Sequence, residues 1–202
     1  MADIQPALKQ KRVYVYADSG VGANSLKNTL CFFGPAAIPI RAKQVQRGHW
    51  KKKAALFVIP GGEDIPYTKK LNGKGNQQIR DYVQQGGVYV GICAGAYYAC
   101  SHIEFDLHGP REIIGARELA FYPGKAVGPI QRGPCWVWVN DTQMLLQDGP
   151  AFKQAENFAQ VSILGRYDTG AAAIISVPIG LGFAVLSGVH FEYGTACQKS
   201  PI

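Results

Sequence analysis

Residues 88–95 read Val-Tyr-Val-Gly-Ile-Cys-Ala-Gly. An apolar run of strand length leads into Gly-Ile-Cys-Ala-Gly, and a stretch of small residues follows. This succession of strand, sharp turn and helix is typical of a nucleophile elbow, with cysteine where many hydrolases carry serine. It predicts that Cys93 is a nucleophile beside a helix N-terminus, whose partial positive charge favours the thiolate. The alternative is that Cys93 is a small buried residue on a helix, as most free cysteines are.

The composition indicates one sizeable globular domain, which we expect to span residues 1–202. No apolar run reaches the roughly 20 residues that span a bilayer, so we expect no membrane partner. Residues 1–10 show no signal-peptide pattern, although a trimmed chain could have lost one, and we expect a cytoplasmic protein. The five cysteines form no C-x-x-C pair, which argues against a zinc or thioredoxin-type site. Their odd number leaves at least one thiol free and favours a reducing compartment.

The net charge of +7 arises mostly from lysines and arginines before residue 75. A basic patch of this kind can attract nucleic acid or an acidic partner protein. No nucleic-acid recognition motif accompanies it, and solvated surface lysines explain the charge equally simply. We therefore expect no nucleic-acid partner.

The first half of the chain alternates apolar strands with amphipathic helices. Strands are predicted at residues 11–17, 39–46, 54–59 and 88–92, and helices from a cap at Asn24 or Ser25 to about Phe33 and over residues 75–85. This alternation predicts an α/β fold with a mostly parallel sheet that is covered on both faces. Ligands in such folds bind beyond the carboxyl ends of the strands. The Pro60-Gly61-Gly62 turn and Cys93 both follow such ends, so we expect them in one crevice.

The second half is richer in strand signals than in helix signals. Gly180-Leu181-Gly182 predicts a hairpin turn between the last two strands, so antiparallel pairing is expected here. Strands are predicted at residues 112–122, 135–140, 162–167, 172–177 and 183–187.

A cysteine nucleophile needs a base, because a free cysteine is only about 3% thiolate at pH 7. Four histidines compete for this role: His49, His102, His108 and His190. His190 follows an apolar strand, and Glu192 lies two residues later. In an extended segment such residues face the same way, so the carboxylate can orient the imidazole as the third member of a triad does. The alternative is a hydrogen-bonded histidine at a strand end.

The order Pro-Gly-Gly, Gly-Ile-Cys-Ala-Gly and His-Phe-Glu resembles class I glutamine amidotransferases. Residues 60–67, 91–98, 121–124, 128–129 and 188–193 resemble more narrowly the N-terminal domain of biotin–protein ligases, over about residues 11–195. The resemblance implies a flavodoxin-like sandwich and a Cys-His-Glu triad. It identifies the chain as a free-standing, bacterial-type member of that family.

The resemblance assigns roles to residues of this chain. It implies Cys93, His190 and Glu192 as the triad and the backbone N–H groups of Gly62 and Ala94 as the oxyanion hole. The residues expected around the substrate follow the strand ends, and they are Gly61, Glu63, Asp64, Tyr97 and Tyr122. We expect no metal and no cofactor.

Departures from the family pattern leave three functions open. His-Phe-Glu replaces the usual His-Pro-Glu of amidotransferases, which weakens the assumption of fixed triad geometry. We expect no biotin transfer, because the ligase half is absent, and any acceptor of released ammonia would be a partner protein. The leading hypothesis is a hydrolase acting on a small-molecule amide or acyl substrate through a thioester. The others are a non-catalytic regulatory or binding module and a redox-sensing thiol protein.

Overall fold

A computed structural model describes residues 11–193 of the chain. Five α-helices lie within these residues: α1 (Ala23–Phe33), α2 (Ala42–Arg47), α3 (Asp64–Leu71), α4 (Lys74–Gln84) and α5 (Ala94–Tyr98). The strands are β1 (Arg12–Tyr16), β2 (Ala37–Ile40), β3 (Ala54–Ile59), β4 (Val88–Ile92), β5 (Cys100–Phe105), β6 (Ile113–Ala116), β7 (Tyr122–Gly128), β8 (Pro134–Val139), β9 (Thr142–Gln147), β10 (Ala151–Lys153), β11 (Ser162–Arg166), β12 (Ala172–Ile179) and β13 (Gly182–Ser187).

Eleven of these strands form one sheet in the order β2-β1-β3-β4-β13-β12-β10-β7-β5-β6, with β11 beside β12. The first five strands of this order are parallel to one another. Beyond β13 most pairings are antiparallel, except that β5 runs parallel to β7. Strands β8 and β9 form a separate hairpin. The predicted mixed α/β fold, mostly parallel with antiparallel strands towards the C-terminus, is confirmed.

The parallel strands bury side chains on both faces because helices cover both sides. Val13 and Val15 of β1 pack with Val58 and Val90 beneath helix α1. The alternate residues, such as Tyr16, point to the other face and join the larger core with residues of helices α2 to α5. This double covering explains the continuous apolar runs of these strands.

Two local predictions in the first half are wrong, and one helix was missed. The strand predicted over residues 39–46 ends at Ile40, because Asp18 accepts a hydrogen bond from the Ala42 N–H and helix α2 begins there. Helix α1 begins at Ala23 with Gly22 as its N-cap, so Asn24 and Ser25 lie inside the helix. Helix α3 was not predicted, because its eight residues include Pro66, which is tolerated in the first turn of a helix.

The second half contains more strands than the sequence predicts. The run predicted as one strand over residues 112–122 divides into β6 and the start of β7. Strands β5, β9 and β10 were missed, since their polar residues interrupt the apolar pattern. The other strands of this half are confirmed within a few residues.

Two findings bear on the predicted location of the protein. No helix among residues 11–193 is long and apolar enough to cross a membrane. Cys93, Cys100 and Cys135 are free thiols, and Cys197 lies outside the described residues. A cytoplasmic location stays a prediction.

Candidate functional site

Three adjacent parallel strands end at the same edge of the sheet and position the candidate site. Gly61 and Gly62 follow β3, Cys93 follows β4, and His190 follows β13. Because the carboxyl ends of parallel strands meet at one edge, residues far apart in sequence become neighbours there. The Gly61-Gly62 turn, Cys93 and His190 meet at this edge, and Gly62 and Cys93 line one cavity.

Cys93 occupies a sharp turn between β4 and α5. Its backbone has φ 50° and ψ −106°, a combination that non-glycine residues rarely adopt. The Cys93 N–H donates to the Ser187 carbonyl at 2.8 Å, and the Cys93 carbonyl accepts from the Ala96 and Tyr97 N–H groups. Because α5 has only five residues, few peptide dipoles align behind the thiol.

His190 and Glu192 form a buried hydrogen-bonded pair. Nδ1 of His190 lies 2.7 Å from Oε1 of Glu192, and only 5% of His190 and 0% of Glu192 are exposed. The backbone N–H of His190 donates to the Leu145 carbonyl at 2.7 Å, which connects the histidine to strand β9. Glu192 reaches the ring from a 3-10 turn over Phe191–Tyr193. The predicted pairing is therefore present, but an extended backbone is not its cause.

The surroundings of His190 favour its protonated form. Burial alone lowers the pKa of His190, but hydrogen bonds to Cys93 and Glu192, together with their negative charges, raise it from 6.5 to about 10. Nδ1 is engaged by Glu192, so Nε2 is the nitrogen left to face the thiol. The site can thus hold an imidazolium between a carboxylate and the sulfur near neutral pH.

A serine of helix α1 contacts this pair. Oγ of Ser25, in helix α1, lies 3.3 Å from Oε1 of Glu192. The Gly61 N–H donates to the same hydroxyl oxygen at 3.0 Å. A Cβ atom added to Gly61 would lie 2.6 Å from Cε1 of His190, so the glycine allows the ring to approach the backbone. Ser25 therefore connects the Gly61 segment with the carboxylate.

A cavity of about 380 Å³ opens in front of Cys93. Its wall combines apolar side chains with carboxylates and one arginine. The lining residues are Gly62, Glu63, Asp64, Ile65, Cys93, Ala94, Tyr97, Ile103, Phe105, Pro110, Arg111, Glu112, Ile113 and Asp148. The volume is in the range of small-molecule sites.

Two ion pairs shape the wall of this cavity. Arg117 donates from Nε to Oδ2 of Asp64 at 2.6 Å, with both side chains at least nine-tenths buried. Arg111 forms a two-pronged pair with Asp148, at 3.0 and 3.3 Å, and its guanidinium lies over the ring of Phe105. The carboxylates of Asp64 and Asp148 are thus largely engaged within the protein.

The family described as biotin-protein ligase, N terminal, matches residues 11–137. The chain belongs to this family. The matched range contains the Gly61-Gly62 turn and Cys93, and it ends before His190 and Glu192.

Two relatives of this biotin–protein ligase N-terminal family member align over nearly the whole chain. An uncharacterized protein of Chlamydia muridarum is 34% identical over 92% of this chain and 82% of its own length. A biotin–protein ligase of Schizosaccharomyces pombe is 29% identical over 94% of this chain. The chain spans only 34% of the length of that ligase.

Solved structures place this family member among glutamine amidotransferase-like folds. A glutamine amidotransferase superposes with a TM-score of 0.66 at 18% identity, covering 91% of this chain and 92% of the other. PurLQS from Thermotoga maritima gives a TM-score of 0.61 at 15% identity, covering 91% and 88%. At these identities the likeness establishes the fold alone.

Most of the predicted site residues surround the cavity. Gly62, Glu63, Asp64, Ala94 and Tyr97 line it together with Cys93. Among the hydrogen bonds of residues 11–193, the backbone N–H groups of Gly62 and Ala94 have no acceptor. Their assignment as an oxyanion hole stays a prediction, as do the triad roles.

Two predicted pocket residues lie elsewhere. Tyr122 is fully buried in strand β7, where its hydroxyl donates to the Lys153 carbonyl and its ring packs on Phe152, and it does not line this cavity. Gly61 lies behind the cavity, between Ser25 and His190. Of the competing histidines, His108 is 88% exposed and pairs with Glu112, away from Cys93.

The replacement of proline in His-Phe-Glu is accommodated by packing. Phe191 lies edge-on to Phe32 of helix α1, with ring centroids 5.2 Å apart. This aromatic contact holds Phe191 in place between His190 and Glu192. In amidotransferases a proline at this position restricts the backbone instead. The departure therefore leaves the pairing of histidine and glutamate intact.

Sequence reasoning missed Ser25, Arg111 and Asp148. Ser25 lies 167 positions from Glu192, and no local pattern links a helical serine to a distant carboxylate. Arg111 and Asp148 lie in turns between strands that were only partly predicted.

Proposed function

We propose that this chain is an amidotransferase-like hydrolase that uses a Cys93-His190-Glu192 triad on a carboxamide or related acyl substrate. One observation carries the proposal. Cys93 lies in a strained turn beside His190 and lines a cavity. His190 is in turn hydrogen-bonded to Glu192. The family match supports the nucleophile turn, and the structure supports the base, since the matched range ends before His190.

The first half of the reaction forms a thioester. The Cys93 thiolate attacks the carbonyl carbon, a C–S bond forms, and the carbonyl electron pair moves onto oxygen. Collapse of this intermediate breaks the C–N bond while the imidazolium of His190 gives its Nε2 proton to the leaving amine. Glu192 keeps Nδ1 protonated and the ring in position throughout.

The oxyanion would be held by the Gly62 and Ala94 N–H groups. Both residues line the cavity beside Cys93, and neither N–H has an acceptor among the described residues. Each such donor contributes about 10²–10³ in rate when it is aimed at the developing charge. These two groups therefore supply the electrophilic part of the mechanism.

The second half of the reaction clears the thioester. Neutral His190 takes a proton from water, whose oxygen attacks the acyl carbon, and the thiolate leaves as the carboxylic acid forms. A released amine or ammonia would diffuse away or be taken up by a partner protein. The chain itself needs no cofactor for any of these steps.

The direct test is intact-mass labelling with a chloroketone analogue of glutamine at pH 7. We expect the wild type to take up one label, at Cys93. Its labelling rate should exceed the total labelling rate of Cys93→Ala by at least about 100-fold. Cys100→Ala is the matched control, because Cys100 is a free, fully buried thiol whose pKa is raised by burial. His190→Asn should slow labelling by about 10²-fold.

Two outcomes decide the proposal. Rapid labelling that survives Cys100→Ala and is lost in Cys93→Ala supports a reactive triad thiol. If the wild type labels no faster than Cys93→Ala, the enzymatic proposal is wrong.

The relationship to a biotin–protein ligase supports a second candidate, a regulatory or binding module without turnover. The chain aligns with about a third of the Schizosaccharomyces pombe ligase, so the domain also occurs within a larger enzyme. This candidate predicts that Cys93→Ala binds any partner as tightly as the wild type does. Loss of a reaction in that variant would count against it.

A further inference from the structure

Ser25 is a buried hydroxyl in the first turn of helix α1, and only 5% of the residue is exposed. It caps no helix end, because Gly22 is the N-cap. Its oxygen instead lies 3.0 Å from the Gly61 nitrogen and 3.3 Å from Oε1 of Glu192. The side chain thus joins two segments of the site without lining the cavity.

The direction of these hydrogen bonds is fixed by chemistry. A backbone N–H can only donate, so Ser25 accepts from Gly61 and its own proton is directed at Glu192. Oε1 of Glu192 therefore receives two donors, the hydroxyl of Ser25 and Nδ1 of His190. Oε2 of Glu192 is buried with no hydrogen-bond partner among residues 11–193. Ser25 is then the second of two contacts that hold the carboxylate.

We propose that Ser25 is a positioning residue that fixes Glu192 against His190 and couples both to the Gly61-Gly62 segment. The inference rests on the proposed function and deepens it. Helix α1 carries the hydroxyl, the turn after β3 carries the N–H, and the turn after β13 carries the carboxylate. One side chain thereby sets the distance between the base and the backbone N–H groups expected to bind the oxyanion.

The consequence concerns the chemical step more than binding. Without the hydroxyl, the Gly61 N–H loses its acceptor and Glu192 can turn away from the imidazole. The cavity wall is unchanged, because Ser25 does not belong to it. A loss of this kind lowers the rate constant of the reacting complex and leaves the dissociation constant nearly the same.

The experiment measures saturation kinetics of inactivation by the chloroketone analogue of glutamine. Ser25→Ala should lower the limiting rate by about 10–100-fold, the scale of losing an outer hydrogen-bond partner, with the half-saturation concentration within about twofold. Ser25→Thr keeps a hydroxyl and should recover most of the rate. Thr29→Val is the matched control, because Thr29 is a buried residue of the same helix whose hydroxyl has no partner among the described residues.

The outcomes separate this inference from the proposed function. If the wild type labels no faster than Cys93→Ala, the proposed function fails and the inference with it. If the wild type labels rapidly and folded Ser25→Ala keeps its limiting rate within twofold, only the role of Ser25 is wrong. An equal rate loss in Thr29→Val would also overturn that role, because it would reflect general loosening of α1. Should Ser25→Ala not fold, Ser25→Gly deletes the same hydroxyl and is judged by the same limits.

Discussion

The parallel half of the sheet, β1 to β4 with β13, and the remaining strands β5 to β12 hold the site by different means. In the parallel half the backbone itself packs tightly, and Gly95 lies directly against the carbonyl of Ile59. The other half is tied to its surroundings by side-chain ion pairs, as Arg117, after β6, is tied to Asp64 of helix α3. Backbone packing admits no added atom, whereas the effect of losing an ion pair depends on its burial. Substitutions in the two halves should therefore fail for different reasons and by different amounts.

The largest effect is expected where the parallel half is packed most closely. A Cβ atom at Gly95 would overlap the Ile59 carbonyl oxygen, and neither backbone segment can move away without disturbing β3 or the Cys93 turn. We expect Gly95→Ala to cost more than about 4 kcal/mol, measured by urea unfolding, or to prevent folding. Gly22→Ala is the control, because an added Cβ there meets only ordinary contacts at 3.6 Å or more, and it should cost less than about 1 kcal/mol. Similar losses in both variants would contradict the backbone argument.

The next largest effect is expected at the buried ion pair between Arg117, after β6, and Asp64 of helix α3. Arg117→Met leaves the Asp64 carboxylate buried without its partner, and we expect a loss of about 3 kcal/mol in the free energy of unfolding. Adding Asp64→Leu should restore most of that loss, because the stranded charge is removed. Lys51→Met, which breaks the more exposed pair with Asp81, should cost less than about 1 kcal/mol. An unfolding curve for Arg117→Met that matches the Lys51→Met curve would show that the buried pair is dispensable.

The same contrast explains how much of the fold could be predicted from sequence. Strands β1, β3 and β4 are apolar on both faces, so their letters alone mark them as buried parallel strands. Strand β5 alternates buried and partly exposed positions, and it contains Ser101, His102 and Glu104. Its place in the sheet is set by pairing with β7, more than 20 positions further along the chain. Local patterns carry no record of such pairing.

The candidate site divides in the same way. Cys93 and the Gly61-Gly62 turn were predictable because a strand end and a glycine turn are local signals. His190 and Glu192 were predictable as residue types, although the 3-10 turn that brings them together was not. Ser25 was not predictable, since its role depends on a contact with a residue 167 positions away.

A smaller effect tests whether His190, in the parallel half, carries a proton in the folded protein. The raised pKa of His190, about 10 against 6.5, means that protonation stabilises the fold fully below pH 6.5 and is lost as pH rises through 10. We expect the stability advantage of wild type over His190→Gln to shrink steadily between pH 6.5 and 10, because the folded protein loses the proton that stabilises it over this range. Urea unfolding across this range measures it. In Cys93→Ala the decline should begin at lower pH, because the thiol is one cause of the raised pKa. A difference that stays constant with pH would mean that His190 is neutral.

The smallest effect is expected at the exposed ion pair beside the cavity. Burial alone raises the pKa of Asp148. The hydrogen bonds from Arg111 and from the Gly133 N–H, together with the charges of nearby arginines, lower this pKa by a larger amount, so the net shift is downward. A lowered pKa contributes stability above pH 3.8 that is lost as the pH falls through the folded-state value. Since the side chain of Arg111 is 52% exposed, Arg111→Gln should cost less than about 1 kcal/mol at pH 7. The cost should shrink as the pH falls below 3.8, measured by thermal unfolding at pH 7 and at a series of lower pH values. A loss as large as that of Arg117→Met would mean that burial does not distinguish the two pairs, and the contrast between the exposed and the buried bridge would fail.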